Sequence, residues 1–255
     1  MQYQAIMFDL DGTLLPMDLE EFTQTYFGLL ARRLPQYDSK AVVAGVWQGT
    51  KAMMANDGSM TNEDRFWSVF AGLMGQDVVN EKDNLEDFYH TDFHKAKAVC
   101  GDNPLAKSMV DLAHERAEKV VLATNPLFPA CAVESRLRWI GLTPADFDYI
   151  TSYEHCTCCK PTPAYYRAIC GDLDLDPSRC LMVGNDLKED GFGASQAGLR
   201  THIVTDCLIA HGLNLEDYSH SAFAALASYL YGSKEHRGPN SPRCSFNVTL
   251  PLRGC

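Results

Sequence analysis

The chain has 255 residues, 46% of them hydrophobic and 22% charged, with 33 acidic against 22 basic side chains and a formal net charge of −11. That balance argues against a nucleic-acid or anionic-membrane partner, which would want a basic face, and no stretch is apolar for long enough to span a bilayer. Without the basic and apolar regions of a secretory signal, the ten cysteines read as reduced thiols, and a cytoplasmic location is expected.

The first element is the short apolar run Ala5-Ile6-Met7-Phe8, which reads as a buried strand. Asp9-Leu10-Asp11-Gly12-Thr13 follows it directly, so two carboxylates one residue apart fall at the C-terminal end of a strand, where ligands bind in open α/β sheets. Residues from about Pro16 to Cys100 then look helical throughout. Phe22, Tyr26, Leu29 and Leu30 share one helical face, as do Val42, Val43, Val46 and Trp47. Asn56-Asp57-Gly58-Ser59 is a loop, and Thr61 to Asp64 resembles a capping arrangement ahead of Phe66, Val69, Phe70 and Leu73. Leu85, Phe88, Tyr89 and Phe93 predict one more helix.

The pattern changes after Gly101. A helix opens near Pro104 with Leu105, Met109, Leu112 and Ala113 on one face, and Val120 to Ala123 is a buried strand ending at Thr124-Asn125. A helix through Val133, Leu137 and Ile140 closes at Gly141, and Tyr149-Ile150-Thr151 is a weaker strand. Thr162 and Pro163 open a helix carrying Tyr165, Tyr166, Ile169 and Leu173. Cys180 to Val183 is a strand, Ala194 to Ala197 lies in a helix, and Thr201 to Val204 is a strand again. Strands alternating with helices predict a parallel sheet covered on both faces, interrupted after its first strand by the helical block. Residues 232–255 lack periodicity and read as a loose, disordered tail.

Four polar clusters are predicted at one edge of this sheet: Asp9 with Asp11, Thr124 with Asn125, Lys160 before a helix, and Gly184-Asn185-Asp186-Leu187-Lys188-Glu189-Asp190 after a strand. Singly, each reads more simply as a turn, a cap or a solvated loop. Together, each behind its expected element, they read as a site.

On these residues the chain resembles the haloacid dehalogenase superfamily: Asp-x-Asp-Gly-Thr after the first strand, Thr-Asn after the second, Lys-Pro before a helix, and Gly-Asn-Asp…Asp with the spacing Asp190-x-x-x-Ala194-x-x-Ala197-Gly198. The resemblance covers about residues 3–231 and implies a doubly wound, Rossmann-like α/β core over residues 1–15 and 101–231. Residues 16–100 would be an inserted helical cap. It further implies a phosphate-monoester hydrolase acting on a small phosphorylated metabolite. Asp9 would be the nucleophile and Asp11 the proton shuttle. Thr124, Asn125 and Lys160 would hold the phosphoryl group, and Mg²⁺ would be held by Asp9, Asp11 and the fourth cluster. The family's usual acid after Gly184 is Asn185 here, with Asp186 next, so either residue could complete the metal site beside Asp190. Members lacking the second acid cleave carbon–halogen or carbon–phosphorus bonds, so Asp11 favours phosphate-ester hydrolysis or phosphoryl migration. A phosphomutase, or a non-catalytic protein that binds phosphorylated ligands, shares the same core residues.

Other signals carry less. His155, Cys156, Cys158 and Cys159 are compatible with zinc but read more simply as reduced thiols in a loop. His90 and His94 have ligand spacing on a helix but read as a solvated face, and Lys51 and Arg65 flank a cap loop either as substrate contacts or as surface charges. Oligomeric state is not legible in the sequence.

Overall fold

The computed structural model describes residues 2–232. Its centre is a six-stranded parallel sheet in the order β3-β2-β1-β4-β5-β6. The strands are β1 (Tyr3–Phe8), β2 (Ala117–Leu122), β3 (Tyr149–Ile150), β4 (Cys180–Gly184), β5 (Arg200–Val204) and β6 (Ser219–Ser221). The chain winds outward from β1 through β2 to β3, then returns beside β1 at β4 and winds the other way. The order therefore reverses between β1 and β4, which places a ligand crevice at the carboxyl ends of those two strands.

Alternation along the strands builds two apolar layers. Ile6, Phe8, Val120, Leu122, Leu181 and Val183 face one cluster, together with α5 (Ala106–Arg116), α6 (Ala130–Trp139) and α9 (Leu226–Leu230). Ala5, Met7, Val121, Ala123, Cys180 and Met182 face the other, against α7 (Pro163–Asp172) and α8 (Ala194–Gln196). Both faces of the sheet are covered, which is why its strands are continuous apolar runs.

Between β1 and β2 lie α1 (Leu19–Arg33), α2 (Ser39–Met54), α3 (Asn62–Met74) and α4 (Lys82–His90). Asp18, Asp38 and Thr61 cap the first three, each accepting a hydrogen bond from a backbone N–H of the first turn. Phe22, Tyr26, Phe70, Phe88 and Phe93 of this inserted cap belong to the same apolar cluster as the α5/α6 face of the core. Buried Asn62 ties the two parts: its Nδ2 donates to Pro126 O at 3.1 Å and its backbone N to Cys156 O at 2.8 Å.

Some expectations need correction. The helix predicted through Phe93 ends at His90, and Asp92–Val99 continues as 3₁₀ turns. His90 and His94 therefore sit on different elements, and His94 Nδ1 accepts from Trp139 Nε1 at 3.0 Å. Thr162 stands at the N-cap of α7 but makes no side-chain cap hydrogen bond. A π-helical stretch, Leu187–Gly193, precedes α8. β6 and α9 were not predicted. The expected tail lies outside the described residues, apart from Gly232. Among those described, no helix is long and apolar enough to cross a membrane.

β6 is held by an unusual residue. His202 of β5 is 1% exposed, and its ring nitrogens lie 2.9 Å from Ser219 Oγ and from Ser221 Oγ, while Tyr229 stacks on the ring. Burial, reinforced by His220, pushes its pKa down to about 4. The unfolded chain then binds a proton that the folded protein refuses, so stability falls as pH drops through the ordinary histidine range and levels off near pH 4. From those two pKa values we expect about 2 kcal/mol of stability to be lost between pH 7 and pH 5 through this residue. Urea unfolding of the wild type and of His202→Gln at both pH values measures it; an unchanged slope in the variant would assign the loss elsewhere.

Candidate active site

The loop after β1 is shaped by its hydrogen bonds. Gly12 N donates to Leu15 O, and Thr13 N and Leu15 N both donate to Leu10 O. None of these uses the Asp11 carbonyl. Gly12 has φ 88°, and a Cβ there would lie 2.3 Å from Asn185 Nδ2, so only glycine allows the β1 and β4 loops to approach this closely.

Asp9 continues the alternation of β1 onto the α7/α8 side, where Lys160 and Asp190 meet it. Lys160 is buried, and its Nζ lies 2.8 Å from Asp9 Oδ1 and 2.7 Å from Asp190 Oδ1. Burial alone would lower the lysine pKa, but the carboxylates of Asp190 and Asp9 hold it well above its usual value. Burial pushes the Asp190 carboxyl upward against the pull of Lys160. The second oxygen of Asp9 accepts from Thr13 Oγ1 at 3.2 Å.

Asp11 turns to the other side of the loop. Its Oδ2 pairs with Nη1 of Arg136, a fully buried arginine on α6 whose guanidinium lies 4.3 Å from the Phe128 ring centroid. Asp11 Oδ1 and Arg136 Nη2 are both buried and without a partner. Burial pushes the Asp11 carboxyl upward, and Arg136 pulls against it.

The remaining predicted residues complete the crevice. Thr124 is buried at the end of β2, its carbonyl accepting from the hydroxyls of Thr151 and Tyr165. Asn125 joins three segments: its Oδ1 accepts from Lys160 N at 3.3 Å and its Nδ2 donates to Glu189 at 3.0 Å. Burial pushes Glu189 up to about 8. Asn185 Oδ1 accepts from Thr13 Oγ1 at 3.0 Å and its Nδ2 donates to Cys207 O at 2.8 Å. Asp186 is turned aside. Its Oδ1 accepts from Lys188 N and Glu189 N, and its Oδ2 lies 2.7 Å from His211 Nε2.

Arg136 is the residue that sequence reasoning missed. Its signal was present, an arginine within the apolar face formed by Val133, Leu137 and Ile140. Other candidates fall outside the crevice. Arg65 bonds Asp57, Asn56 and Ser59, pinning its own loop, and Lys51 is exposed. Cys159 Sγ accepts from Asn62 Nδ2 and donates to Met53 O, so this loop docks the cap. Burial pushes the thiols of Cys156 and Cys159 up to about 11 and about 12. Among the described residues, no group of three or more His, Cys, Asp or Glu is placed to hold a metal ion.

The crevice at the switch point lies in an α/β core with a helical cap inserted after β1. Residues 3–198 match the haloacid dehalogenase-like hydrolases, and the chain belongs to that family. Over 206 residues it is 28% identical to the N-acetylmuramic acid 6-phosphate phosphatase of Pseudomonas putida, covering 80% of this chain and 83% of the relative. The enzyme of the same name from Pseudomonas aeruginosa is 26% identical, with 80% and 82% covered. Among solved structures, 2-haloacid dehalogenase from Pseudomonas syringae superposes with a TM-score of 0.59 at 17% identity, covering 90% of this chain and 98% of that one. CbbY from Rhodobacter sphaeroides, in complex with xylulose-(1,5)bisphosphate, gives 0.56 at 20% identity over 88% and 96%. Both structures share the fold.

Proposed function

We propose that this hydrolase is a phosphatase, cleaving the phosphate monoester of a small metabolite with Mg²⁺ and through an aspartyl-phosphate on Asp9. The observation that carries the reading is the buried Asp9 carboxylate at the switch point, with Lys160 on one oxygen and Thr13 on the other. The N-acetylmuramic acid 6-phosphate phosphatases named above support the reaction class.

An oxygen of Asp9 attacks phosphorus, the bond from phosphorus to the alcohol oxygen breaks, and Asp11 gives that oxygen its proton. Asp11 then takes a proton from water, the water oxygen attacks phosphorus, and the bond to Asp9 breaks to release phosphate. Burial of Asp11 favours the protonated form needed first, and Arg136 favours the ionised form needed second. Lys160, Thr124 and the Asn125 backbone would hold the phosphoryl oxygens and offset the charge of the transition state. Residues 16–100 would act as the cap over residues 1–15 and 101–231, excluding water from the first step.

The donors suit a hard cation. All are oxygens, the buried carboxylates of Asp9 and Asp190 share Lys160 as their one cationic partner among the described residues, and none of the loop's backbone hydrogen bonds uses the Asp11 carbonyl. Mg²⁺ keeps much of its water and needs one or two carboxylates, so a three-carboxylate cluster is not required. Asp9, the Asp11 carbonyl and Asp190 or Asn185 would hold it, and when bound it supplies positive charge to the phosphoryl oxygens. Asp186 would join only by giving up its helix cap and His211.

The test is a panel of phosphorylated metabolites, N-acetylmuramic acid 6-phosphate among them, assayed with Mg²⁺ for both phosphate and isomer. Free phosphate without isomer is expected. Isomer without phosphate would identify a phosphomutase, and turnover of nothing would leave a phospho-ligand-binding protein.

A further inference from the structure

Above Asp11, Asn125 and Glu189 opens a cavity of about 630 Å³, walled by the cap on one side and by core loops on the other. That volume falls within the roughly 300–1,000 Å³ of small-molecule sites. Phe22, Tyr26, Phe66, Trp67, Phe70 and Phe128 supply much of the wall. The hydroxyls of Tyr26 and Tyr89 bond each other at 2.9 Å, so these two phenols are partnered within the wall itself.

The charge of the upper wall is mostly of one sign. Glu63, Asp83, Glu86 and Glu154 line it, and Lys82 is the one cationic side chain among the described lining residues. Lys82 is already engaged, its Nζ lying 3.3 Å from Glu63 Oε1 and 4.9 Å from the Trp67 ring centroid. Glu154 Oε1 accepts from Ala130 N, and its Oε2 is buried without a partner.

Resting on the phosphatase reading of this site, we propose that its substrates are phosphate monoesters whose alcohol half is largely apolar or aromatic and carries no second anionic group, so that N-acetylmuramic acid 6-phosphate, with its carboxylate, is a poor member of the panel. The phosphoryl group has Lys160 at the floor of the crevice. A further carboxylate or phosphate would lie against carboxylates and aromatic rings, with no cation outside the Lys82–Glu63 pair among the described lining residues to receive it, and like charges brought together this way are strongly disfavoured. An apolar alcohol half instead removes its own surface and that of the rings from water. The four acidic side chains set the discrimination, and the aromatic rings supply the affinity.

Steady-state kinetics with Mg²⁺ on paired esters test this. The pairs are 4-methylphenyl against 4-carboxyphenyl phosphate, and benzyl phosphate against 2-phosphoglycolate. The uncharged member of each pair should have a kcat/KM at least about tenfold higher, although the carboxylated phenol is the better leaving group. The gap should narrow in the double variant Glu86→Gln, Glu154→Gln. Equal or reversed preference overturns the proposal while leaving the phosphatase reading intact. If neither member of any pair is hydrolysed, the metabolite panel above decides the phosphatase reading. The selectivity is then read by titration calorimetry with benzylphosphonate and phosphonoacetate: a tenfold preference for the first supports it, and equal or tighter binding of the second overturns it.

Discussion

Asp9→Asn should abolish Mg²⁺-dependent release of phosphate from an aryl phosphate, a loss of at least about 10⁴-fold in kcat. The substitution keeps the shape of the side chain and replaces a nucleophilic carboxylate oxygen with a weakly nucleophilic amide. The surroundings can absorb it. The Thr13 hydroxyl, whose one proton is shared between Asp9 Oδ2 at 3.2 Å and Asn185 Oδ1 at 3.0 Å, can turn it wholly to Asn185 and accept from the new amide. Lys160 keeps Asp190 as its charged partner. The variant should therefore fold, with a circular dichroism spectrum like that of the wild type, and the loss would belong to chemistry. Undiminished turnover would remove Asp9 from the nucleophile role.

Lys160→Met should damage both stability and activity. The ammonium is enclosed between Asp9 and Asp190, both buried, and neither carboxylate has another cationic partner among the described residues. Removing one member of a buried ionic group leaves uncompensated charge and typically costs about 3–5 kcal/mol. Methionine fills much of the same volume, so packing loss contributes little. Urea unfolding with EDTA present measures the stability, and phosphate release measures the activity, expected to fall at least about 100-fold. A stability change below about 1 kcal/mol would mean that the carboxylates do not depend on the lysine for their charge.

The legible parts of this protein are those where one residue type answers one physical demand. Val120-Val121-Leu122 reads as a strand buried on both faces, and it forms the end of β2. Thr61 announced the start of α3 by its capping chemistry. Ser219-His220-Ser221 carried no apolar signal, because β6 is held through the ring of His202, seventeen and nineteen residues away in sequence. The second acid of the opening motif was legible, but its partner was not. Arg136 lies 125 residues from Asp11, and nothing local records that pairing. The choice between Asn185 and Asp186 was open in sequence because adjacent residues leave the chain in different directions. The fold spends them differently, Asn185 tying the β1 loop to Cys207 and Asp186 capping a helix.

The strand order also governs how the chain comes off the ribosome. β1 pairs with β2 on one side and with β4 on the other, and β4 ends at Gly184. The earliest strand of the sheet to be synthesised is thus flanked by strands that do not yet exist. At the usual pace of translation, Ala5 to Phe8 wait on the order of ten seconds or more before both neighbours emerge. The cap helices are made in that interval, yet their apolar faces share a cluster with Val120 and Val183 and cannot be fully buried without them. Nascent chains halted before β4 should therefore be held by chaperones and be open to proteases, and protection should arrive abruptly once residues beyond 184 clear the exit tunnel.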